Sequence, residues 1–365
     1  MKNLAKLQAE CADLGIKVNT KGRASKGPYI VALRDYHWRK DHSDEPLPAQ
    51  VMPMLLGSWD DLDDDQAEAI EQDHHAWIVQ PKMDGCRALF HIEGNRVRIT
   101  SRTVSEVTYR LSEFQDNLPH LTQEASRLAG TILDGELVCP VSSLNTGSTT
   151  AATSLQATMA ILAASPEKAQ RIQESQDAHL RYHVFDILRC RGQDMTSLSL
   201  LDRQDIVEKT VREMRNPFVE VVPSFVVNKA EIHRHIIDAG GEGTVWKKAD
   251  GIYEPSRRVS HWIKRKRGIE MEAFVTGYKQ GTNGHANVVG ALEFSVRNSK
   301  GESIPVAWVS NWNDIEREAM TGRDTKGLVQ LRPIFLGRKA RIMGQDESAK
   351  SRRLRHARIM CWVES

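Results

Sequence analysis

The sequence predicts an α+β chain in three parts: a small helical hairpin, a body of antiparallel sheets and helices, and a closing series of short strands. Three observations carry this. Leu4, Leu7, Cys11 and Leu14 recur at helical spacing, which places them on one face of a helix. From Ala76 onward, apolar and β-branched runs are broken by turn residues and by helix-spaced segments. After Gly268 the texture is mostly short strands. At 365 residues the chain has room for two or three domains.

The hairpin is expected over residues 1–45. Gly15 is placed to stop its first helix. A polar, basic loop covers 17–26, and Gly27-Pro28 opens a second helix bearing Ile30, Leu33 and Tyr36. Pro46 and Pro48 mark a linker. Residues 60–73 carry eight acidic side chains and no basic one, and read as either a solvated helix or a loop. The body is expected over 50–268. Its strands fall at 76–80, at 87–92 and 96–100 joined by a Gly94-Asn95 turn, at 131–138, 182–188, 244–246 and 260–264. Residues 142–156, rich in Ser, Thr and Ala, read as a flexible insertion leading into a helix at 157–164, and a second helix covers 200–214. Beyond 268, strands at 271–278, 291–296, 304–309, 340–343 and 358–363, interrupted by a helix at 314–320, suit a five-stranded OB-fold over 269–365.

No apolar run approaches transmembrane length, and the N-terminus lacks the pattern of a signal peptide. Five scattered cysteines without a C-x-x-C pair argue against a zinc knuckle or a disulfide framework, and suit a reducing cytoplasm. The net charge of +2 conceals an asymmetry. Residues 257–267 carry six basic and no acidic side chains, and 338–358 carry eight basic against two acidic. A nearly neutral chain can present a strongly positive working face in this way.

The chemistry centres on Lys82, in the run Lys82-Met83-Asp84-Gly85-Cys86-Arg87. A lysine directly after a strand and before Asp-Gly sits in a tight turn, for which Gly85 permits unusual backbone geometry. Burial and neighbouring cations expose the lone pair of such an amine and make it a nucleophile. Arg87 can supply positive charge and grip a phosphate. The run is thus either a lysine nucleophile with its own phosphate clamp or a surface turn with Asp-Gly at its corner. Cys86 reads as a packed thiol, and His74, His75 and the histidines of 37–42 as surface residues.

The six-residue run resembles motif I of the covalent nucleotidyltransferases, and further family motifs follow in order. Ser101-Arg102 resembles the arginine after the first hairpin. Asp134-Gly135-Glu136-Leu137 resembles the Asp-Gly-Glu element. Val184-Phe185-Asp186 resembles motif III, and Leu201-Asp202-Arg203 the adjoining helix. Glu242-Gly243-Thr244-Val245 resembles motif IV, Trp262-Ile263-Lys264-Arg265-Lys266 motif V, and Leu354-Arg355-His356-Ala357-Arg358 motif VI. Pro53-Met54-Leu55-Leu56 resembles the entry segment of ligase adenylation domains. The resemblance covers about residues 50–365 and is nearest to compact phage and bacterial ATP-dependent DNA ligases. The 1–45 hairpin resembles the SAP module, a small DNA-binding hairpin.

The resemblance implies a body that is an adenylation domain and a sequence of roles. Lys82 becomes adenylylated by ATP, with Lys264 and Lys266 on the α-phosphate. Gln80 stands where many relatives carry Glu for adenine recognition, and Phe185 stacks the base. Arg102 contacts ribose or the nick phosphate, Glu136 the ribose. Glu136 and Glu242 hold Mg²⁺, with Mn²⁺ as a substitute, and Arg355 helps expel pyrophosphate. Ala357 stands where motif VI often has Pro. The implied partner is nicked double-stranded DNA, bound by a monomer through Arg102, Arg257, Arg258, Arg265, Arg267, Arg338 and Lys339, which would meet phosphates without reading sequence. The rival readings are an RNA ligase or capping-type nucleotidyltransferase and, in another class, a non-catalytic DNA-binding protein on the same scaffold.

Overall fold

The computed structural model describes residues 2–18, 25–42, 45–73, 75–123, 125–140, 154–347 and 353–363. Residues 142–153 of the expected insertion lie outside these, as does His74, and of Arg355 only the backbone position is described. The chain divides into two compact units, Met1–Arg265 and Lys266–Ser365. Among the described residues no helix is long and apolar enough to cross a membrane.

The first unit opens with α1 (Leu4–Asp13) and α2 (Lys26–Asp41). Asn3 caps α1 by accepting from the Lys6 N–H. Leu7, Cys11 and Leu33 pack around Tyr109 and Val104, and the Tyr109 hydroxyl donates to Glu10 Oε2 at 2.5 Å. The apolar face of the hairpin is therefore spent on the body, and 1–45 shares one compact unit with the residues that follow. The acidic block forms α3 (Asp64–Gln72), started by a capping box between Asp63 and Gln66.

Two sheets build the body. One has four strands in the order β1 (Leu55–Ser58), β11 (Arg258–Lys266), β10 (Gly243–Lys248), β2 (Trp77–Pro81). The other runs β5 (Leu111–Glu113), β4 (Arg96–Val104), β3 (Cys86–Glu93), β6 (Thr131–Val138), β7 (Arg181–Cys190), β8 (Gln193–Asp194). A further strand, β9 (Val219–Val221), pairs with β7. Alternation along these strands gives each sheet two different faces. Ala88, Phe90, Leu133, Val184 and Ile187 enter the main apolar core with α4 (Ser154–Leu162), α5 (Pro166–Ser175) and α6 (Leu200–Met214). Leu89, Ile132 and Phe185 turn the other way and meet Ile78 and Trp262 of the four-stranded sheet. That sheet's far side packs Val79, Trp246 and Ile263 against Ile70 of α3 and Ile232 of α7 (Lys229–Asp238).

The second unit is a closed barrel in the order β12 (Ile269–Gln280), β13 (Val289–Arg297), β14 (Ser303–Val309), β18 (Leu354–Trp362), β17 (Lys339–Glu347). Every pairing is antiparallel except β14 with β18, which is parallel. Val275, Leu292, Phe294, Val309 and Ile342 fill it. Between β14 and β17 lie α8 (Asp314–Met320), with an Asn313–Glu316 capping box, and the hairpin of β15 (Thr321–Arg323) and β16 (Val329–Leu331). The last strand starts at Leu354, four residues before the predicted start at 358. Among its described side chains Leu354 and Ala357 are the buried ones, and the charged residues around them hide the strand in the sequence.

Candidate active site

Lys82 leaves the end of β2, and its backbone N–H donates to Gly243 O at 2.9 Å. That bond sets the lysine opposite the start of β10. Its Nζ lies 2.5 Å from Glu242 Oε2. The turn that follows needs glycine for space. A Cβ on Gly85 would stand 2.0 Å from Leu137 O, and its φ is not among the positive ones. The expected unusual backbone geometry is thus replaced by a close approach to β6. Glu136 comes from that strand, paired across from Arg87. Burial pushes its carboxyl up to about 7, against the pull of Lys82 and Arg87, with Glu242 adding to the rise. Lys82, Glu136 and Glu242 therefore share one local field. Lys264 and Lys266, half-buried, alternate along β11 on the side of Trp262.

Beneath this cluster lies a floor of buried charge. Arg87 was expected to grip a phosphate, but its Nε and Nη2 donate to the two oxygens of Asp134 at 3.0 and 2.6 Å. The pair is buried and Tyr253 donates to the same carboxylate at 2.6 Å, so the arginine's first task is to neutralise Asp134. Asp186 is the cross-strand neighbour of Asp134. It is matched by Arg203, which donates to it at 2.7 and 3.0 Å and also caps Leu198 O and Gly251 O. Two adjacent buried carboxylates are tolerable only with such partners.

Sequence reasoning passed over Lys247. It is buried, donates to Phe185 O at 3.2 Å, and lies 3.8 Å from the centre of the Trp262 ring. Burial pushes its ammonium down to about 7, with Asp186 and Asp134 opposing and Arg87 and Arg203 assisting. Its one sequence signal is the alternation Gly243, Val245, Lys247 on β10, which places it on the Lys82 side. The Phe185 ring stands edge-on to Trp262 at 6.0 Å with the Arg87 guanidinium 5.3 Å from its centre. Gln80 is buried beside Gln204 and Ser224. Cys86 is a packed thiol pushed up to about 11 by burial.

The expected nucleic-acid residues divide. Arg102 is exposed on β4, Arg257 is exposed with Glu254 at 3.4 Å, and Arg258 donates to Leu56 O. Arg267 is exposed in the second unit, where Arg338 lies over Trp362 at 4.4 Å and Lys339 pairs with Glu272 at 3.2 Å. Arg265 is a correction. One position from Lys264, it points to the other face of the sheet, stacks over Trp59 at 4.3 Å and pairs with Glu71 of α3. It joins the acidic helix to the sheet and leaves the basic run.

Residues 53–266 match the family model of the ATP-dependent DNA ligase domain. A DNA ligase of Haloarcula marismortui is 30% identical over 247 residues, covering 67% of this chain and 42% of that protein. One of Methanothrix thermoacetophila is 29% identical over 237 residues, covering 64% and 40%. The chain spans about two fifths of the length of the curated relatives it matches. A solved chain described as "Structure-function analysis of Lig E DNA ligases" shares the fold at a TM-score of 0.52 and 17% identity, over 87% of this chain and all of that one. Another, described as "Pmar-Lig_Pre.", does so at 0.58 and 19%, over 89% and 70%. With its model spanning more than half of the sequence, the chain belongs to the ATP-dependent DNA ligase domain family.

Proposed function

We propose that the protein is an ATP-dependent DNA ligase that seals 5′-phosphate/3′-hydroxyl nicks in duplex DNA through a Lys82-AMP intermediate. The observation that carries this is the Lys82 amine held 2.5 Å from Glu242 in the field of Glu136. In the first step the amine nitrogen bonds to the α-phosphorus of ATP, the bond to pyrophosphate breaks, and the amine gives up a proton. AMP then passes to the 5′-phosphate of the nick, and the 3′-hydroxyl displaces it. Glu242 fixes Nζ at the cleft wall. Lys264 and Lys266 offset charge on the α-phosphate. Phe185 offers a ring to the base.

Glu136 and Glu242 fit a hard divalent cation: both offer carboxylate oxygens beside Lys82, and phosphate oxygens complete such a shell. Bound there, Mg²⁺ (or Mn²⁺) would neutralise charge building on the α-phosphate. The barrel order, with its third and fifth strands parallel, supports an OB-fold. Its Arg355 would assist pyrophosphate release. The N-terminal hairpin, Arg102, Arg257, Arg258, Arg267, Arg338 and Lys339 would meet DNA phosphates. Five free cysteines fit a reducing cytoplasm as its workplace, and the working form proposed is a monomer.

Incubation with α-labelled ATP and Mg²⁺ tests the reading. Covalent label should appear, vanish in Lys82→Ala and move to nicked DNA on sealing. No label, label that survives Lys82→Ala, or sealing confined to RNA would refute it.

A further inference from the structure

Gln80 does not stand alone on the cleft side of β2. Its Nε2 donates to Gln204 Oε1 at 3.2 Å and to Ser224 Oγ at 2.9 Å. Ser224 Oγ in turn donates to Gln204 Oε1 at 3.0 Å. Gln204 Nε2 donates to the backbone carbonyl of Phe185 at 2.7 Å. The last bond is the anchor, because a backbone carbonyl can only accept. It fixes which end of the Gln204 amide faces Phe185, and so which end faces Gln80. Gln204 must present oxygen, and Gln80 must therefore present its NH₂. A reversed Gln80 amide would set two acceptor oxygens against each other.

Both N–H bonds of Gln80 are then committed on one side. Its Oε1 lies on the other side of the amide, and among the described residues it accepts no hydrogen bond. Gln80 is 1% exposed, so an unmatched partner there is costly. The same carbonyl that anchors the relay belongs to Phe185, whose ring is the proposed base platform.

We propose that Gln204 and Ser224 are positioning residues that set base specificity, by locking Gln80 with its carbonyl oxygen toward the nucleobase. This rests on the reading of the cleft as a nucleotide site and adds the choice of base. An acceptor oxygen takes the exocyclic amine of adenine. Guanine carries an acceptor at the corresponding position and is repelled. A bare glutamine could rotate its amide by half a turn and suit either base, so the selectivity lies in the relay and not in Gln80 alone. The residue type at 80 is what the family resemblance implies; the relay that orients it comes from α6 and from the segment after β9.

The experiment measures equilibrium binding of ATP and of GTP to the full chain, without requiring chemistry. Wild type should favour ATP. Gln204→Met removes the anchor and the acceptor together and should lower the ATP:GTP preference by about tenfold or more, chiefly through tighter GTP binding. Ser224→Ala, the gentler change, should lower it by a smaller factor. Gln80→Leu should lower it as far as Gln204→Met, and adding Gln204→Met to Gln80→Leu should change it no further. A role limited to packing would weaken both nucleotides equally and leave the ratio unmoved. Ratios within twofold of wild type in both Gln204→Met and Ser224→Ala, or a wild type that binds GTP as well as ATP, would overturn the relay. A wild type that prefers ATP yet never transfers AMP to Lys82 would sink the ligase reading alone.

Discussion

Strand β3 serves two faces of the seven-stranded sheet with alternate residues, and the two faces have little in common. Ala88, Phe90 and Ile92 look into a core of apolar side chains from α4, α5 and α6. Arg87, Leu89 and His91 look the other way, and Arg87 lies over a floor that also holds Asp134, Asp186, Arg203 and Lys247. The first face gains stability by removing apolar surface from water. The second gathers groups whose burial is unfavourable unless each finds its partner. A single strand thus gives one face to holding the fold and, on the other, sets Arg87 at the floor of the cleft while Leu89 packs against the four-stranded sheet. Substitutions one residue apart should differ in kind as well as in size.

The largest expected effect is on the helix-covered side. Phe90 is fully buried and stacks on Tyr182 at 5.2 Å. Phe90→Ala should cost about 3–5 kcal/mol of stability, measured by denaturant titration. The protein that remains folded should take up label at Lys82 as wild type does. If labelling of the folded fraction fell with stability, the two faces would be coupled and the division between them would fail.

The next effect is on the cleft side. Asp134→Asn leaves the Arg87 guanidinium buried beside a neutral amide and should cost about 3 kcal/mol. The double variant Arg87→Met with Asp134→Leu removes both charges and should recover most of that loss. Arg203 and Asp186, one strand away, are coupled to the pair through Lys247 and Tyr253, so the recovery tests how closed the network is. A double variant as unstable as Asp134→Asn would mean that the charges themselves organise the floor.

The same alternation decides what could be read from the sequence. The longer strands of the body, β2, β3, β4, β6, β7, β10 and β11, and the helices at 200–214 and 314–320 are legible, because their apolar spacing is local, whereas β1, β5, β8 and β9, of two to four residues each, are not. α5 and α7 went unread, since both are largely polar and bury few positions. Lys82, Glu136, Phe185 and Glu242 lie in short local patterns and could be named. The pairing of Arg87 with a residue 47 positions away could not. Arg265 shows the limit most clearly: it sits within the basic run, yet strand alternation turns it onto Trp59 and Glu71. Gln204 and Lys247 gain their meaning only when two sheets close over them.

Lys247 offers the most specific test of the contrast. Its ammonium is pushed down to about 7 from an ordinary value of 10.5, mainly by burial. Between those values the unfolded chain carries a proton at this site that the folded protein lacks. Stability from this group therefore rises as pH rises from about 7 toward 10.5, and below 7 the full cost of the buried charge is present. Lys247→Met removes the titration. The stability difference, variant minus wild type, should be most favourable to the variant below pH 7. It should then fall by at most about 1.4 kcal/mol per pH unit through the window. Urea titrations at pH 6, 8 and 9.5 would read it, with other groups cancelling between the two proteins. A difference independent of pH would show that the lysine keeps its proton in the folded cleft, held there by Asp134 and Asp186 and by the Trp262 ring. The floor would then carry one more positive charge under the nucleotide than the buried amine supplies.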